Sequence, residues 1–197
     1  MARKMEILLG SQSPRRRELM AGLELPFTAI SIDADESYPA ELKGGDIPYF
    51  ISRSKAEAYA PKLTENQLLI TADTIVWLEG KMLGKPHDEA EAIEMLKALR
   101  NKTHQVFTAV TFAESGKPLE TVVDKTDVTF GNLSDEEILH YVHQYRPMDK
   151  AGAYGVQEWI GYVACTAMQG SYFNVMGFPV HLVYAELKKR NIIETQI

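Results

Sequence analysis

The chain has 197 residues, 45% of them apolar and 24% charged, with a net charge of −6; that is enough for one well-formed core. The acidic balance excludes broad binding to nucleic acid or anionic membranes, which needs a basic face, but leaves room for a local basic pocket. A lone cysteine, Cys165, excludes an intramolecular disulfide, no window is apolar enough for a membrane span, and "MARKMEILLG" has too short an apolar segment for a signal peptide, so the expected location is the cytoplasm.

"MEILLG" reads as a short buried strand. Ser13 suits an N-cap and Pro14 the first helical position, with Leu19, Met20 and Leu23 on one face and Gly22 near the end. "PFTAISIDADESY" reads as a strand entering an acidic loop. A helix from Asp46 places Ile47, Phe50, Ile51 and Ala58 on one face, until Pro61. "NQLLITADTIVWLEGKMLGKP" is a long strand, a turn at Glu79-Gly80 and a return strand. "HDEAEAIEMLKALR" is an amphipathic helix capped by Asp88, with Glu91 closing a capping box and Ala92, Met95, Leu96 and Leu99 buried. "HQVFTAVTFA" and "ETVVDKTDVTF" are strands joined through Ser115-Gly116. "SDEEILHYVHQY" is a helix with a Ser134–Glu137 capping box. "WIGYVACTAMQGSY" reads as a strand with Cys165 in the core, and "FPVHLVYAELKKR" as a closing helix with Val180, Val183, Tyr184 and Leu187 inward. Hairpin-linked strands favour a mixed α/β sheet over a parallel one. No linker divides residues 1–197, so one domain is expected.

Five stretches carry candidate chemistry. "GSQSPRRREL" sets three arginines at a helix start, where unpaired N–H groups and a partial positive charge attract anions. Arginine forks match phosphate oxygens, so Ser11, Ser13, Arg15 and Arg16 form either a phosphate cradle or a solvated basic patch, with Arg17 the solvated member. Asp73, inside the apolar "LLITADTIVWL", is costly to bury unless it is paired or used. It is a general base or metal-associated carboxylate, or it faces water on an edge strand. Lys85 in "MLGKPH" stands on a turn that can fix a lysine beside a pocket. Lys55 lies near an apolar stripe, where snorkelling and a phosphate contact both remain open. "DKAGAYGVQ" combines small residues that admit close backbone approach with Asp149, Lys150 and the amide of Gln157. "QGSYFNVMGFP" reads as turn architecture bordering the site. No P-loop, GxGxxG or metal-type Cys/His spacing occurs.

"SQSPRRREL", "ADTIV", "LGKP", "HQVFTAV", "MDKAGAYGVQ" and "GSYFNVMGFP" stand in an order and spacing that resemble the Maf family of nucleoside triphosphate pyrophosphatases, also called septum formation inhibitor proteins. The resemblance covers nearly the whole chain. It implies an inosine-triphosphatase-like fold: mixed α/β, elongated and two-lobed with a central cleft. It also implies hydrolysis of a nucleoside triphosphate to monophosphate and pyrophosphate with a divalent cation, Mg²⁺ or Mn²⁺. By motif, Asp73 matches the proton acceptor, and Arg15, Thr74 and Gln157 match selectivity positions. Ser11, Arg16, Glu36, Lys55 and Lys85 match other cleft positions, and Asp73 and Glu36 are the candidate metal ligands. "SPRR", "ADT" and "DKAGAYGVQ" resemble the dTTP/UTP branch rather than the 7-methyl-GTP branch. Asn101, Glu158 and Phe178 depart from the family's usual glycine, glycine and leucine. The partner expected is a small-molecule nucleotide, with no nucleic acid and no membrane, and a homodimer is the assembly considered. The alternative from another class is a non-catalytic nucleotide-binding regulator of cell division; Asp73 discriminates, because a binder gains nothing from a carboxylate facing a triphosphate.

Overall fold

The computed structural model describes residues 4–193; residues 1–3, which begin the stretch too short for a signal peptide, and residues 194–197 lie outside the described residues. Its elements in chain order are β1 (Glu6–Gly10), α1 (Pro14–Ala21), β2 (Thr28–Ile30), α2 (Asp46–Tyr59), β3 (Gln67–Leu78), β4 (Lys81–Leu83), α3 (Glu89–Leu99), β5 (Thr103–Glu114), β6 (Glu120–Phe130), α4 (Asp135–Tyr145), α5 (Trp159–Ala164), β7 (Cys165–Gln169), α6 (Tyr172–Met176) and α7 (Val180–Lys189). Among the described residues the strands form one mixed sheet in the order β2-β1-β3-β5-β6-β7, with β4 beside β3. β1 runs parallel to β2 and β3, whereas β3–β4 and β6–β7 are antiparallel. None of the described helices is long and apolar enough to cross a membrane.

The residues group into two compact units. The first contains Met1–Asp73, Thr108–Asp124 and Gly177–Ile197, and the second Thr74–Phe107 and Lys125–Met176. The division falls inside β3, β5 and β6, so each of these strands supplies residues to both units.

In the first unit, β1 is buried from Ile7 to Gly10, as its apolar run requires. Leu8 and Leu69 pack with Ala56, Leu63 and Ala113 in a core that Ile30, Ile32 and Tyr59 border. α2 buries Ile47, Pro48, Ile51, Ser52 and Ala56, so the expected face is rotated: Phe50 and Ala58 are exposed. The rotation follows from Ser52, whose hydroxyl meets Thr111 Oγ1 at 2.8 Å and whose carbonyl accepts the Thr71 hydroxyl at 2.7 Å. Those bonds satisfy a buried polar side chain that an apolar count leaves outside. α1 ends at Ala21, leaving Leu23 beyond the helix. α7 buries Val183 and Leu187, while Tyr184 is exposed and Val180 half-buried. It closes on Arg190, which lies over the Phe112 ring and pairs with Glu114, Glu120 and Glu186.

In the second unit, Glu79 and Gly80 both take positive φ and turn β3 back into β4, the geometry a two-residue hairpin demands. Asp88 caps α3 by accepting from Glu91 N at 2.8 Å. Glu91 reaches back one residue further than a capping box does, taking His87 N. Ser134 and Glu137 form the full box at α4. Asn101 has φ 59°, a left-handed position that explains why asparagine can stand where glycine is usual.

Two further expectations change here. Trp159–Ala164 is a helix, not strand; Ile160 and Ala164 are its buried residues, four apart, and Tyr162 is 84% exposed. That is helical periodicity hidden inside an apolar run. A Cβ on Gly161 would lie 1.7 Å from the Val156 carbonyl oxygen, so only glycine lets this helix start so close to the preceding loop. Cys165 is accordingly half-buried at the strand edge rather than in the core. In α6, Asn174 is fully buried and its amide donates to the Val106 carbonyl at 3.1 Å and Thr126 Oγ1 at 2.9 Å. This gives "GSYFNVMGFP" its architectural role.

His104 is 1% exposed, packed edge-on against Phe130, with Nε2 2.6 Å from the Tyr154 hydroxyl. Burial pushes its imidazole down from 6.5 to about 4. Below pH 6.5 the unfolded chain therefore binds a proton that the folded chain refuses. Stability falls as pH drops from 6.5 towards 4, by on the order of 3 kcal/mol from this group. Urea unfolding between pH 7.5 and 4.5 is expected to show that loss in the wild type, and a smaller loss in His104→Gln, which cannot titrate. Equal losses in the two proteins would remove His104 from the acid response.

Candidate active site

Asp73 sits near the middle of β3, an interior strand of the sheet, two residues past the end of the β1 ladder at Thr71, and its burial rules out the water-facing alternative. Its side chain is 13% exposed and accepts from Lys55 Nζ at 3.0 Å. Lys55 arrives from α2, is equally buried, and also meets Glu36 Oε1 at 2.8 Å. Its ammonium thus joins the two carboxylates expected to hold a metal, rather than snorkelling to water. Burial pushes the Asp73 carboxyl above its ordinary value, and Lys55 and then Arg16 oppose that rise. Asp73 is accordingly a stronger base than an ordinary solvated aspartate.

The arginine cluster divides by function of geometry. Ser13 caps α1, its side chain accepting from Arg16 N at 3.4 Å, and Ser11 Oγ accepts from Ser13 N at 3.1 Å. The helix start is therefore partly satisfied from within. Arg16 Nε donates to the Gly177 carbonyl at 2.8 Å, and Nη1 to the Ala72 carbonyl at 3.1 Å. The β1–β3 ladder ends at Gly10–Thr71, so Arg16 takes the first β3 carbonyl past it, next to Asp73. Burial lowers the Arg16 guanidinium from its usual range, and Asp73 is the chief opposing influence. Arg15 is half-buried in the same turn. Arg17 reaches Gln12 Oε1 at 2.8 Å in an exposed pair, as the solvated member should. The first unit thus brings together Ser11, Arg15, Arg16, Glu36, Lys55 and Asp73.

Thr74, Lys85 and Gln157 belong to the second unit. Thr74 is half-buried on β3 and Lys85 is exposed. The loop before Gln157 is bound to both neighbourhoods: Gly152 N donates to the Gly84 carbonyl at 3.0 Å, and a Cβ on Gly152 would come within 2.8 Å of Val76. Gly152 also has φ 69°, so glycine is required twice over. Gln157 Oε1 is buried and accepts no hydrogen bond from any described residue. A buried acceptor without a donor is expensive, and it marks a place where a ligand N–H would be welcome.

No group of three or more His, Cys, Asp or Glu is gathered to hold a metal among the described residues. Two carboxylates sharing one ammonium do fit a divalent cation that takes its remaining oxygens from water and substrate phosphates, with Lys55 Nζ standing in for positive charge. Two contributors carried no sequence signal: the backbone carbonyls of Ala72 and Gly177, whose roles exist only through Arg16. A third is Tyr141, which the sequence reading did not single out; its hydroxyl donates to Glu158 and accepts from Gly155 N.

Known proteins resemble this chain in sequence and in fold. The chain is 52% identical over 187 residues to a Bacteroides thetaiotaomicron protein named dTTP/UTP pyrophosphatase, covering 94% of this chain and 96% of the relative. It is 50% identical over 189 residues to a Porphyromonas gingivalis protein of the same name, covering 94% of each. Among solved structures, the Staphylococcus aureus Ham1 protein matches with a TM-score of 0.56 at 16% identity, over 93% of this chain and 98% of that one, a likeness of fold. The family described as Maf-like protein matches residues 6–190, and with the order of motifs and the relatives at half identity, the chain belongs to the Maf family.

Proposed function

We propose that this chain is a nucleoside triphosphate pyrophosphatase that hydrolyses dTTP and UTP to the monophosphate and pyrophosphate, cleaning the nucleotide pool in the cytoplasm. The observation that carries the reading is Asp73: a carboxylate 13% exposed on an interior strand, paired with Lys55 and raised by burial. The names of the relatives at about half identity support the substrate. The lone cysteine suits a reducing compartment. Residues 1–197 are read as one domain, a reading that β3, β5 and β6 support by each supplying residues to both units.

In the proposed reaction, water attacks the α-phosphorus and the bond to the β-phosphate oxygen breaks, releasing pyrophosphate. Asp73 accepts the water's proton. Arg15, Arg16, Lys55 and Lys85 neutralise phosphate oxygens, and Ser11 hydrogen-bonds them. Positioning and charge stabilisation supply most of the rate, as in phosphoryl transfer generally. A Mg²⁺ or Mn²⁺ ion held by Asp73 and Glu36 would supply further charge neutralisation and a more acidic water.

Lys55→Met is expected to move the acid limb of the kcat/KM profile to higher pH. Burial already raises Asp73, Lys55 is the first influence opposing it, and its loss lets the carboxyl hold its proton longer. An acid limb that stays in place in pH–rate measurements would mean that another group limits the rate.

Thr74 and Gln157 read the base. Uracil and thymine present an N3–H donor beside O4, which an amide matches with Oε1 as acceptor and its NH₂ as donor. Cytosine presents the reverse. Gln157 Oε1, buried without a donor, suits N3–H. Purines are excluded by size. Gln157→Ala is expected to narrow the UTP-to-CTP ratio of kcat/KM about tenfold, about 1.4 kcal/mol, the scale of one hydrogen bond. The whole reading is tested by pyrophosphate release across the common nucleoside triphosphates. dTTP and UTP should be cleaved best, and a preference for CTP or GTP would overturn it.

A further inference from the structure

Gln157 stands on a segment tied down by one carboxylate. Glu158 Oε2 accepts a short hydrogen bond from the Tyr141 hydroxyl, and that same hydroxyl accepts from Gly155 N at 3.0 Å. Glu158 Oε1 meets Lys150 Nζ at 3.2 Å, and Lys150 also meets Asp149 Oδ1 at 2.9 Å. The backbone repeats the closure: Glu158 N donates to the Gly155 carbonyl at 3.0 Å. Tyr141 is fully buried, and the Lys150 and Glu158 side chains are 10% and 20% exposed. Residues 150, 155 and 158 are therefore bound through one charged, largely dehydrated knot, and Gln157 lies between two of them.

A knot of this kind is an expensive way to gain stability. Burying a lysine–glutamate pair costs desolvation that apolar side chains of similar size avoid. What it does supply is direction, because charge-assisted hydrogen bonds have narrow geometry. Burial first, and then Glu158, push the Tyr141 hydroxyl well above its usual range. It remains a donor to Glu158 at every working pH, so its lone pair stays aimed at Gly155 N.

We propose that Glu158 and Tyr141 are positioning residues that set the placement of the Gln157 amide, and through it the preference for pyrimidines bearing an N3–H. The proposal rests on the base-reading role of Gln157. It acts through backbone: Glu158 orients Tyr141, Tyr141 holds Gly155, and the Gly155–Glu158 turn presents Gln157. An amide misplaced by a fraction of an ångström loses a hydrogen bond in a site that must be held closely.

The test compares wild type, Gln157→Ala, Tyr141→Phe, Glu158→Ala and Glu158→Gln by steady-state kinetics on UTP and CTP, with melting temperatures alongside. Tyr141→Phe keeps the ring and removes the hydroxyl. Glu158→Gln keeps an oxygen for Tyr141 and removes the negative charge that faces Lys150. Tyr141→Phe and Glu158→Ala are expected to narrow the UTP-to-CTP ratio of kcat/KM about tenfold, the worth of about one hydrogen bond. The change should lie in the KM for UTP, with kcat held within about twofold. Glu158→Gln should restore most of the ratio that Glu158→Ala loses. A purely structural knot would lower the melting temperature and leave the ratio alone, and that result in both Tyr141→Phe and Glu158→Ala overturns the proposal. If Gln157→Ala itself leaves the ratio unchanged, the base reading falls, and this proposal with it; if only Gln157→Ala narrows it, the base reading stands and the positioning role alone is wrong.

Discussion

Asp73→Asn is expected to abolish turnover while nucleotide binding persists or tightens. The substitution keeps the shape of a side chain that is 13% exposed, so the fold has no cavity or clash to absorb. It removes the proton acceptor, and loss of a positioned general base alone costs about 10²- to 10⁴-fold. Binding moves the other way because a triphosphate no longer meets a carboxylate at that point. Lys55, which shares its ammonium between Asp73 and Glu36, also becomes more available to phosphate oxygens. Calorimetric titration of the variant with dTTP, paired with pyrophosphate release, separates the two effects. Turnover at the wild-type rate in the purified variant removes Asp73 from the mechanism. Binding that collapses along with activity would show that the carboxylate holds the substrate rather than the proton.

Arg16→Ala is expected to destabilise the protein as well as weaken triphosphate binding. From the sequence, Arg16 is a phosphate ligand or part of a solvated basic patch, with no structural role. In the structure its guanidinium spans two carbonyls, Gly177 and Ala72, 105 positions apart in the chain by their numbers. Removing it strands both carbonyls and leaves Asp73 with one cation fewer. An unsatisfied buried acceptor costs about 1–3 kcal/mol, so the loss in unfolding free energy is on the order of 3 kcal/mol. The weakening of triphosphate binding is of a similar size, the about 1.5–3 kcal/mol of one charge-assisted hydrogen bond. Denaturant unfolding and dTTP titration on the same preparation measure the two losses. A variant as stable as wild type would show that the bonds to Gly177 and Ala72 contribute nothing net. Arg16→Lys is not a conservative control, since one ammonium cannot reproduce a fork aimed at two acceptors.

The sequence by itself determined the features that depend on near neighbours in the chain. The Ser13 cap, the Ser134–Glu137 box, the Glu79-Gly80 turn and the buried stripe of α3 all appear where periodicity and capping chemistry place them. Some candidate site residues also stand out by type in their settings, the arginines at a helix start and an aspartate inside an apolar strand, whereas Glu36 and Thr74 come only with the family resemblance. The tertiary structure alone decided what those residues do to one another. Whether β3 was an edge or an interior strand depended on its neighbours in the sheet, and whether Asp73 was solvated or buried depended on what packed against it, Lys55 from α2 above all. Lys55 paired with two carboxylates because a helix turn and a strand met, eighteen residues apart. "WIGYVACTAM" split into helix and strand because the Val156 carbonyl and Gly161 came into contact, a constraint that no alternation of apolar residues records. Hydrogen bonds and burial between distant segments carry no local signature, since each partner looks ordinary until the fold supplies the other.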